Sequence, residues 1–299
     1  MRKNGMLRAA LALLGCLAAG YVGVGLLVVY RMTAPRCRVP ETSPADVGLA
    51  YEEVGLKSTD GIQLKAWWAP TGDSPRTAVL VHGWDGDKSN EHVLKTAPVY
   101  HREGYNVLMI DTRAQGESGG GRRTLGYREA RDVLGALLWL EGRGYQPEDT
   151  VLHGWSMGGT TVVRAAPGTG VAAVVEEAGY AELPRLLEGA IPRVAGLPRL
   201  LVPGILLAGR LWPDFDPWAV RPEREASDLW KEDVPLFVIH STDDYVIPIE
   251  HAKMLAAAHP EAWVWILEGY DHVEAFAHPE YEERLRSFLQ NLREEDPQR

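Results

Sequence analysis

The sequence predicts an α/β fold: a mostly parallel central sheet flanked by helices. Two observations carry this. Short apolar runs rich in β-formers, at 77–83, 105–111, 150–154, 171–177, 235–240 and 262–268, are near-continuous rather than alternating, as strands buried on both faces are. Between them lie amphipathic stretches such as "GYREARDVLGALLWLEGRG" (126–144), and alternation of strand with helix makes a parallel sheet.

The N-terminus stands apart. Ala9 to Tyr30 carries no charge, and about 22 residues make roughly 33 Å of helix, enough for a bilayer core of about 30 Å. This predicts a transmembrane signal anchor at 9–30 after a short cytoplasmic segment at 1–8. Basic residues flank both ends, Arg2, Lys3 and Arg8 against Arg31, Arg36 and Arg38. The first cluster also holds the free amino terminus, so the expected arrangement is single-pass in the cell membrane with the large domain on the extracytoplasmic side. A cleaved signal peptide is a rival reading, but its apolar region would be shorter. "LLGC" (13–16) resembles a bacterial lipobox with Cys16 as lipid anchor, yet the apolar run continues well past it. Gly15, Ala19 and Gly23 recur every four positions, as on helix dimerisation faces.

A proline-rich linker is expected at 31–48 and the catalytic domain at 49–299. "LAYEEVGLKSTDGIQLKAWWAP" (49–70), with Asp60-Gly61 in the middle, reads as an antiparallel hairpin entering the sheet, which brings it to about eight strands. Between 178 and 232 the strand pattern stops. There "LPRLLVPGILLAGRLWP" (197–213) is apolar and interrupted by Pro203. An insertion at this place in an α/β sheet usually lies over the carboxyl ends of the strands, so a small helical lid is expected, with packing of 197–213 as ordinary core the alternative. The last segment puts Tyr281, Leu285, Phe288, Leu289 and Leu292 at helical spacing.

Composition narrows the function. Of 299 residues 45% are hydrophobic and 24% charged, with a net charge of −10. That is globular, and the acidic balance argues against nucleic acid as a partner. Cys16 and Cys37 are the only cysteines, which leaves the main body no disulfide framework and no cysteine zinc site. No H-E-x-x-H or comparable ligand spacing occurs, so neither metal nor cofactor is expected.

"VLHGWSMGGTT" (151–161) carries the sharpest motif. Gly154, Ser156 and Gly158 fit G-x-S-x-G between a strand and a helix. The turn is too tight for neighbouring side chains, so glycines flank a serine pushed out above the sheet. The Met157 N–H, opening the following helix, could donate to an oxyanion. A serine hydroxyl needs a base, and His272 in "LEGYDHVEAF", after the last strand, is the best placed of nine histidines. His82-Gly83 ends a strand and would offer the Trp84 N–H to the same oxyanion, with His82 itself structural. "VIHSTDDYVIP" (238–248) holds adjacent aspartates, Asp243 and Asp244, which alternation points in opposite directions. The pattern alone leaves open which one acts. Asp271 is too close in sequence to His272 to reach round to its far nitrogen. Glu176 and Glu177 read as a solvated pair, and "DTRAQGESGG" (111–120) as a structural loop lacking the Lys-Ser/Thr of a P-loop.

With "HGW", "GWSMGG", "HSTDDYVIP" and "GYDH" in this order, the chain resembles the α/β-hydrolase superfamily over roughly 50–293. "EGYNVLMIDTRAQGESGG" followed by "GYREARDV" is similar to its Bem46-like and serine aminopeptidase-like branch, which includes membrane-anchored hydrolases. The resemblance implies Ser156 as nucleophile, His272 as base, and Trp84 and Met157 amides as oxyanion hole. Laid on the pattern H-G-x-x-D-x-x-V-P, His240 and Pro248 match the ends and the acid falls on Asp244. Ser241 replaces the usual glycine. A serine hydrolase of carboxylesterase or lipase type is thereby implied, acting on a small-molecule acyl ester, thioester or amide. An acyltransferase would share every motif, and a non-catalytic membrane-tethered interaction protein would share the scaffold.

Overall fold

The computed structural model describes residues 2–295. Met1, in the expected segment 1–8, and 296–299, at the end of the expected domain, lie outside them, as do the side chains of Arg2 and Lys3. In chain order the elements are α1 (Arg2–Thr33), β1 (Arg36–Cys37), β2 (Glu52–Lys57), β3 (Gln63–Ala69), β4 (Thr77–Val81), α2 (Glu91–Arg102), β5 (Asn106–Ile110), β6 (Gln115–Gly116), α3 (Ala130–Glu141), β7 (Thr150–Trp155), α4 (Met157–Ala165) and β8 (Ala173–Glu177). After these come α5 (Leu183–Val194), α6 (Val202–Leu211), α7 (Pro222–Lys231), β9 (Leu236–Ser241), α8 (Glu250–Ala258), β10 (Trp263–Leu267) and α9 (Tyr281–Glu295).

Eight of the strands form one sheet in the order β10-β9-β8-β7-β4-β5-β3-β2. The pairs from β10 to β5 are parallel, whereas β2–β3 and β3–β5 are antiparallel. Every side chain of β4, β5, β7, β8 and β9 is buried, which is why their sequences are near-continuously apolar. One apolar layer packs α3, α4, α7 and α8 on one face, and the other packs α2 and α9 on the opposite face. A third apolar cluster joins α5 and α6 to Met157, Ile247 and Val29. It covers the end of the sheet where β4, β7, β9 and β10 finish.

Two details differ from the sequence reading. Pro203 does not interrupt a helix. It sits in the first turn of α6, where its missing N–H and fixed φ are tolerated. The stretch 31–48 contains structure: β1 pairs in parallel with β6, and a 3-10 helix covers Pro44–Val47.

α1 does not end free of the domain. Gly25 lies against α6 so closely that a Cβ there would stand 3.0 Å from the Gly204 carbonyl oxygen. The Tyr21 hydroxyl donates to the Leu200 carbonyl and accepts from the Gly204 N–H, both at 2.9 Å. Tyr30 meets Trp212 edge to face. Gly15 and Gly23, two of the small residues with dimer spacing, have nothing within 4 Å of a Cβ position. The small residue of α1 that packs within the chain is Gly25.

Candidate active site

Parallel strands bring the ends of β4, β7, β9 and β10 to one edge, so loops far apart in sequence meet there. At the end of β7 the chain turns sharply into α4. Ser156, at this turn, has φ 55° and ψ −121°, a left-handed value that costs a non-glycine residue of order 1–3 kcal/mol. The turn persists because nothing around it can swell. A Cβ on Gly154 would collide with the Gly158 carbonyl, and one on Gly158 would collide with the Val81 carbonyl of β4. The Ser156 N–H donates to the Glu177 carbonyl at 2.8 Å, tying the turn to β8.

The loop after β10 carries His272 back over this turn. Its Nε2 lies 2.8 Å from Ser156 Oγ, and its Nδ1 lies 2.7 Å from Asp244 Oδ2. The imidazole is 18% exposed and the Asp244 side chain 1%, so one face stays open while the acid is sealed. Asp244 Oδ1 accepts the N–H groups of Val246 and Ile247 at 2.8 and 2.7 Å. These hold the carboxylate aimed at His272. Val273, next to the histidine, has φ 55°, a rare strained backbone for a β-branched residue.

The neighbouring carboxylates point elsewhere. Asp243 is exposed and accepts from the Gly269 N–H at 2.7 Å, which holds its carboxyl below the usual range. Asp271 Oδ1 accepts the Tyr245 and His272 N–H groups and does not bond the imidazole. His82 is fully buried between the Gly83 carbonyl and the Thr112 N–H; burial pushes its pKa down. Gly83 adjoins the Ser156 turn, for a Cβ on it would stand 3.7 Å from Ser156 Oγ. That puts the Gly83-Trp84 peptide beside the serine, with Met157 on the other side opening α4. Among the described residues no cluster of metal-ligating side chains occurs.

One reading of the sequence is overturned here. Glu176 and Glu177 are not solvated: they are 0% and 1% exposed. Burial is the largest influence on each, pushing Glu176 up to about 8 and Glu177 up to about 7. Glu176 accepts the Gly179 N–H beneath the Ser156 turn, and Glu177 accepts the Tyr281 hydroxyl at 3.0 Å. They end β8 opposite Gly154 and Trp155, so both belong to the floor of the site.

Sequence reasoning also missed a clamp on the loop 84–87. The Trp84 indole N–H donates to the Met32 carbonyl at 3.0 Å. Asp85 takes the left-handed φ of 65° and is held by Arg36 and by Arg123, at 2.6 and 2.9 Å. Arg38 pairs with Asp87, and Arg123 stacks its guanidinium 4.7 Å from the Trp84 ring centre. Arg123 also donates to the Ala34 carbonyl at 2.6 Å. The sequence signal was available in four charges of two signs, Arg36, Arg38, Asp85 and Asp87, but nothing in their spacing says that they meet.

A sharp strand–serine–helix turn between β7 and α4, on a sheet of this order, with a histidine loop after the last strand, is the architecture of an α/β hydrolase. The chain belongs to the alpha/beta hydrolase family, whose model matches residues 78–285. It is 27% identical to the uncharacterized protein YfhR of Salmonella typhi over 81% of this chain and 80% of that one. It is 25% identical to the uncharacterized protein YqkD of Bacillus subtilis over 79% and 78%. The fold is shared with the Pyrococcus furiosus esterase Pf2001, at TM-score 0.72 and 24% identity over 86% of this chain and 98% of that one. It is also shared with Est1E of Butyrivibrio proteoclasticus, in a structure with ferulic acid bound, at TM-score 0.65 and 16% identity over 79% and 98%.

Proposed function

We propose that the protein is a membrane-anchored serine hydrolase that cleaves acyl esters, or thioesters or amides, through Ser156, His272 and Asp244. The observation that carries this reading is the unbroken hydrogen-bond chain from Asp244 through His272 to Ser156. His272 Nε2 takes the hydroxyl proton as Ser156 Oγ attacks the acyl carbonyl. Asp244 holds the other nitrogen and stabilises the imidazolium. The carbonyl oxygen becomes an oxyanion between the Trp84 and Met157 N–H groups, each such donor contributing about 2.7 to 4 kcal/mol. His272 returns the proton to the leaving group, and water, activated by the same histidine, releases the acid from the acyl-enzyme. Esterase neighbours of the same fold support the ester reading over the amide.

A fluorophosphonate probe should label the purified full-length protein, and a short-chain ester should be hydrolysed. Ser156→Ala and His272→Ala should each abolish both. Labelling that survives Ser156→Ala sinks the proposal.

The membrane part of the reading rests on α1, apolar from Gly5 to Thr33 apart from Arg8 and Arg31, exposed all round from Gly5 to Gly20 and packed along one side on the domain from Tyr21 on. An exposed apolar helix of this length needs lipid around it. The expected topology is single-pass, with the catalytic domain extracytoplasmic. A membrane-impermeant protease added to intact cells should digest the domain; protection there and digestion only after lysis would reverse the orientation.

A further inference from the structure

Where α1 crosses the bilayer also fixes the position of the cap. Ala9 is the first residue beyond Arg8, and about 20 residues at ~1.5 Å each are needed to cross ~30 Å of hydrocarbon. The hydrocarbon segment then runs from Ala9 to about Val28, which puts Tyr21 and Gly25 within roughly its last 10 Å. Sliding the helix outward by one turn, with Arg8 snorkelling to the far headgroups, still leaves Tyr21 below the boundary.

Those are the residues that α6 touches. The two helices run side by side in the same direction: Tyr21 bonds at Leu200 and Gly204, Gly25 abuts Gly204 and Ala208, and Tyr30 meets Trp212. The start of α6 therefore lies at the depth of Tyr21 and its end near the surface. Its outward side chains suit that place. Leu200, just before α6, and Leu207 and Leu211 on it are 68%, 55% and 75% exposed, with Arg199 and Arg210 the exposed charges of this stretch, whose long stems can reach toward headgroups. Trp212, beside Tyr30, stands at the level where aromatic rings gather at membrane surfaces.

Behind these leucines lies a cavity of about 730 Å³ between α5 and α6, lined among others by Arg185, Arg199, Val202, Leu206, Leu207 and Trp218. Ser156, Asp244 and His272 are not part of its wall. Val202 and Leu206 are, and they pack in the same buried apolar cluster as Met157 beside Ser156, so that passage from the cavity to Ser156 requires these side chains to part. Its wall joins apolar side chains to the charges of Arg185, Glu188 and Arg199, a mixture that suits an amphiphile.

We propose that α6 is inserted in the leaflet next to the domain and that the acyl substrate enters from that leaflet, through the α5–α6 cavity, as a lipid ester. This rests on the ester-hydrolase and single-pass readings above. The partner is the bilayer itself: α6 carries a low-lying apolar face of the interfacial kind, about 5 to 10 Å deep.

The test uses full-length protein in phosphatidylcholine–phosphatidylglycerol vesicles. An environment-sensitive fluorophore is attached at Leu200→Cys, Leu211→Cys or Lys231→Cys in a Cys16→Ala, Cys37→Ala background. Nitroxide-bearing lipids should quench the labels at 200 and 211, and spare that at 231, which ends α7 on a face of the sheet, before β9 begins. Labels at 200 and 211 that behave like the one at 231 overturn the insertion. Leu200→Glu with Leu211→Glu should lower hydrolysis of a long-chain ester carried in the vesicles at least tenfold. Hydrolysis of a soluble short-chain ester should stay within twofold. An unchanged ratio of the two rates overturns entry from the leaflet. Quenched labels on a wild-type protein that cleaves neither ester would instead keep the insertion and remove the esterase reading.

Discussion

Arg36 grips Asp85 through both carboxylate oxygens, Nε at 2.6 Å and the second nitrogen at 3.1 Å. Arg36 is two residues beyond Ala34 at the end of the apolar helix; Asp85 adjoins the Trp84 peptide proposed to bind the oxyanion. The two partners are not equal. Arg36 is 65% exposed, and exposed pairs contribute little. Arg123, the second cation on Asp85, is 3% exposed. Arg36→Ala should therefore lower kcat only a few-fold. Asp85→Ala frees the loop and strands a buried guanidinium, and should lower kcat at least tenfold with KM little changed, a fraction of the loss expected for a whole oxyanion donor. Steady-state kinetics on a short-chain ester reads both.

The adjacent aspartates give an asymmetric pair of variants. Asp244→Asn should reduce kcat by orders of magnitude, up to about 10⁴-fold, because the amide favours the wrong imidazole tautomer. Asp243→Asn weakens only exposed contacts, from the Gly269 N–H and the Thr242 hydroxyl, and should leave kcat within a few-fold. Reversed results would move the acid to Asp243.

Glu176 should leave a mark on stability against pH. Its folded-state pKa, about 8, lies above the usual carboxyl value of 4.5 because burial disfavours the charge. Between those values the folded protein holds a proton that the unfolded chain has released. Stability from this group is thus greatest at the acid end of the window and is lost as pH rises toward 8. Glu177 adds to the same slope. Glu176→Gln cannot ionise, so its Tm should fall less steeply between about pH 5 and 8 than that of the parent. Parallel Tm curves would mean that Glu176 does not carry this proton.

Beneath the clamp, Lys88 is fully buried, with Nζ 2.6 Å from Asp111 and 2.7 Å from Glu117. Asp111 also accepts the Lys88 and Glu117 N–H groups. Lys88→Met leaves the buried Asp111 carboxylate without its cation, and should cost about 3–5 kcal/mol in denaturant unfolding. A change under 1 kcal/mol would mean that the amides alone satisfy the carboxylate.

Much of this was legible because local pattern and chemistry agreed. The central strands read as continuous apolar runs since both faces are covered. Gly154 and Gly158 flanked Ser156 since no Cβ fits there. His272 and Asp244 were found through motif order on a resembled family, because alternation could only say that Asp243 and Asp244 diverge. What stayed hidden depends on partners distant in sequence. Glu176 and Glu177 look like a surface pair until β9 and α9 cover them. Pro203 reads as a break in a helix or as its first turn, and only the packing of α6 on α1 distinguishes the two. The charges of 36–38 and 85–87 are an ion-pair set only once β1 lies against β6.

The seam between helix and domain has a consequence for how the protein can be handled, by cells or in the laboratory. From Thr33 onward there is no slack: the Thr33 and Ala34 carbonyls accept from Arg123, and Arg36 and Arg38 donate their N–H groups to Ala114 and Gly116. A protease cutting between 33 and 36 would not free a finished enzyme from a leash. Departure of α1 would take the Met32 carbonyl from Trp84 and uncover the side of α6 that Tyr21 and Gly25 now pack on. A shed or truncated fragment should therefore aggregate or lose turnover, and on the proposed anchored reading detergent extraction of the whole chain should be what yields active material.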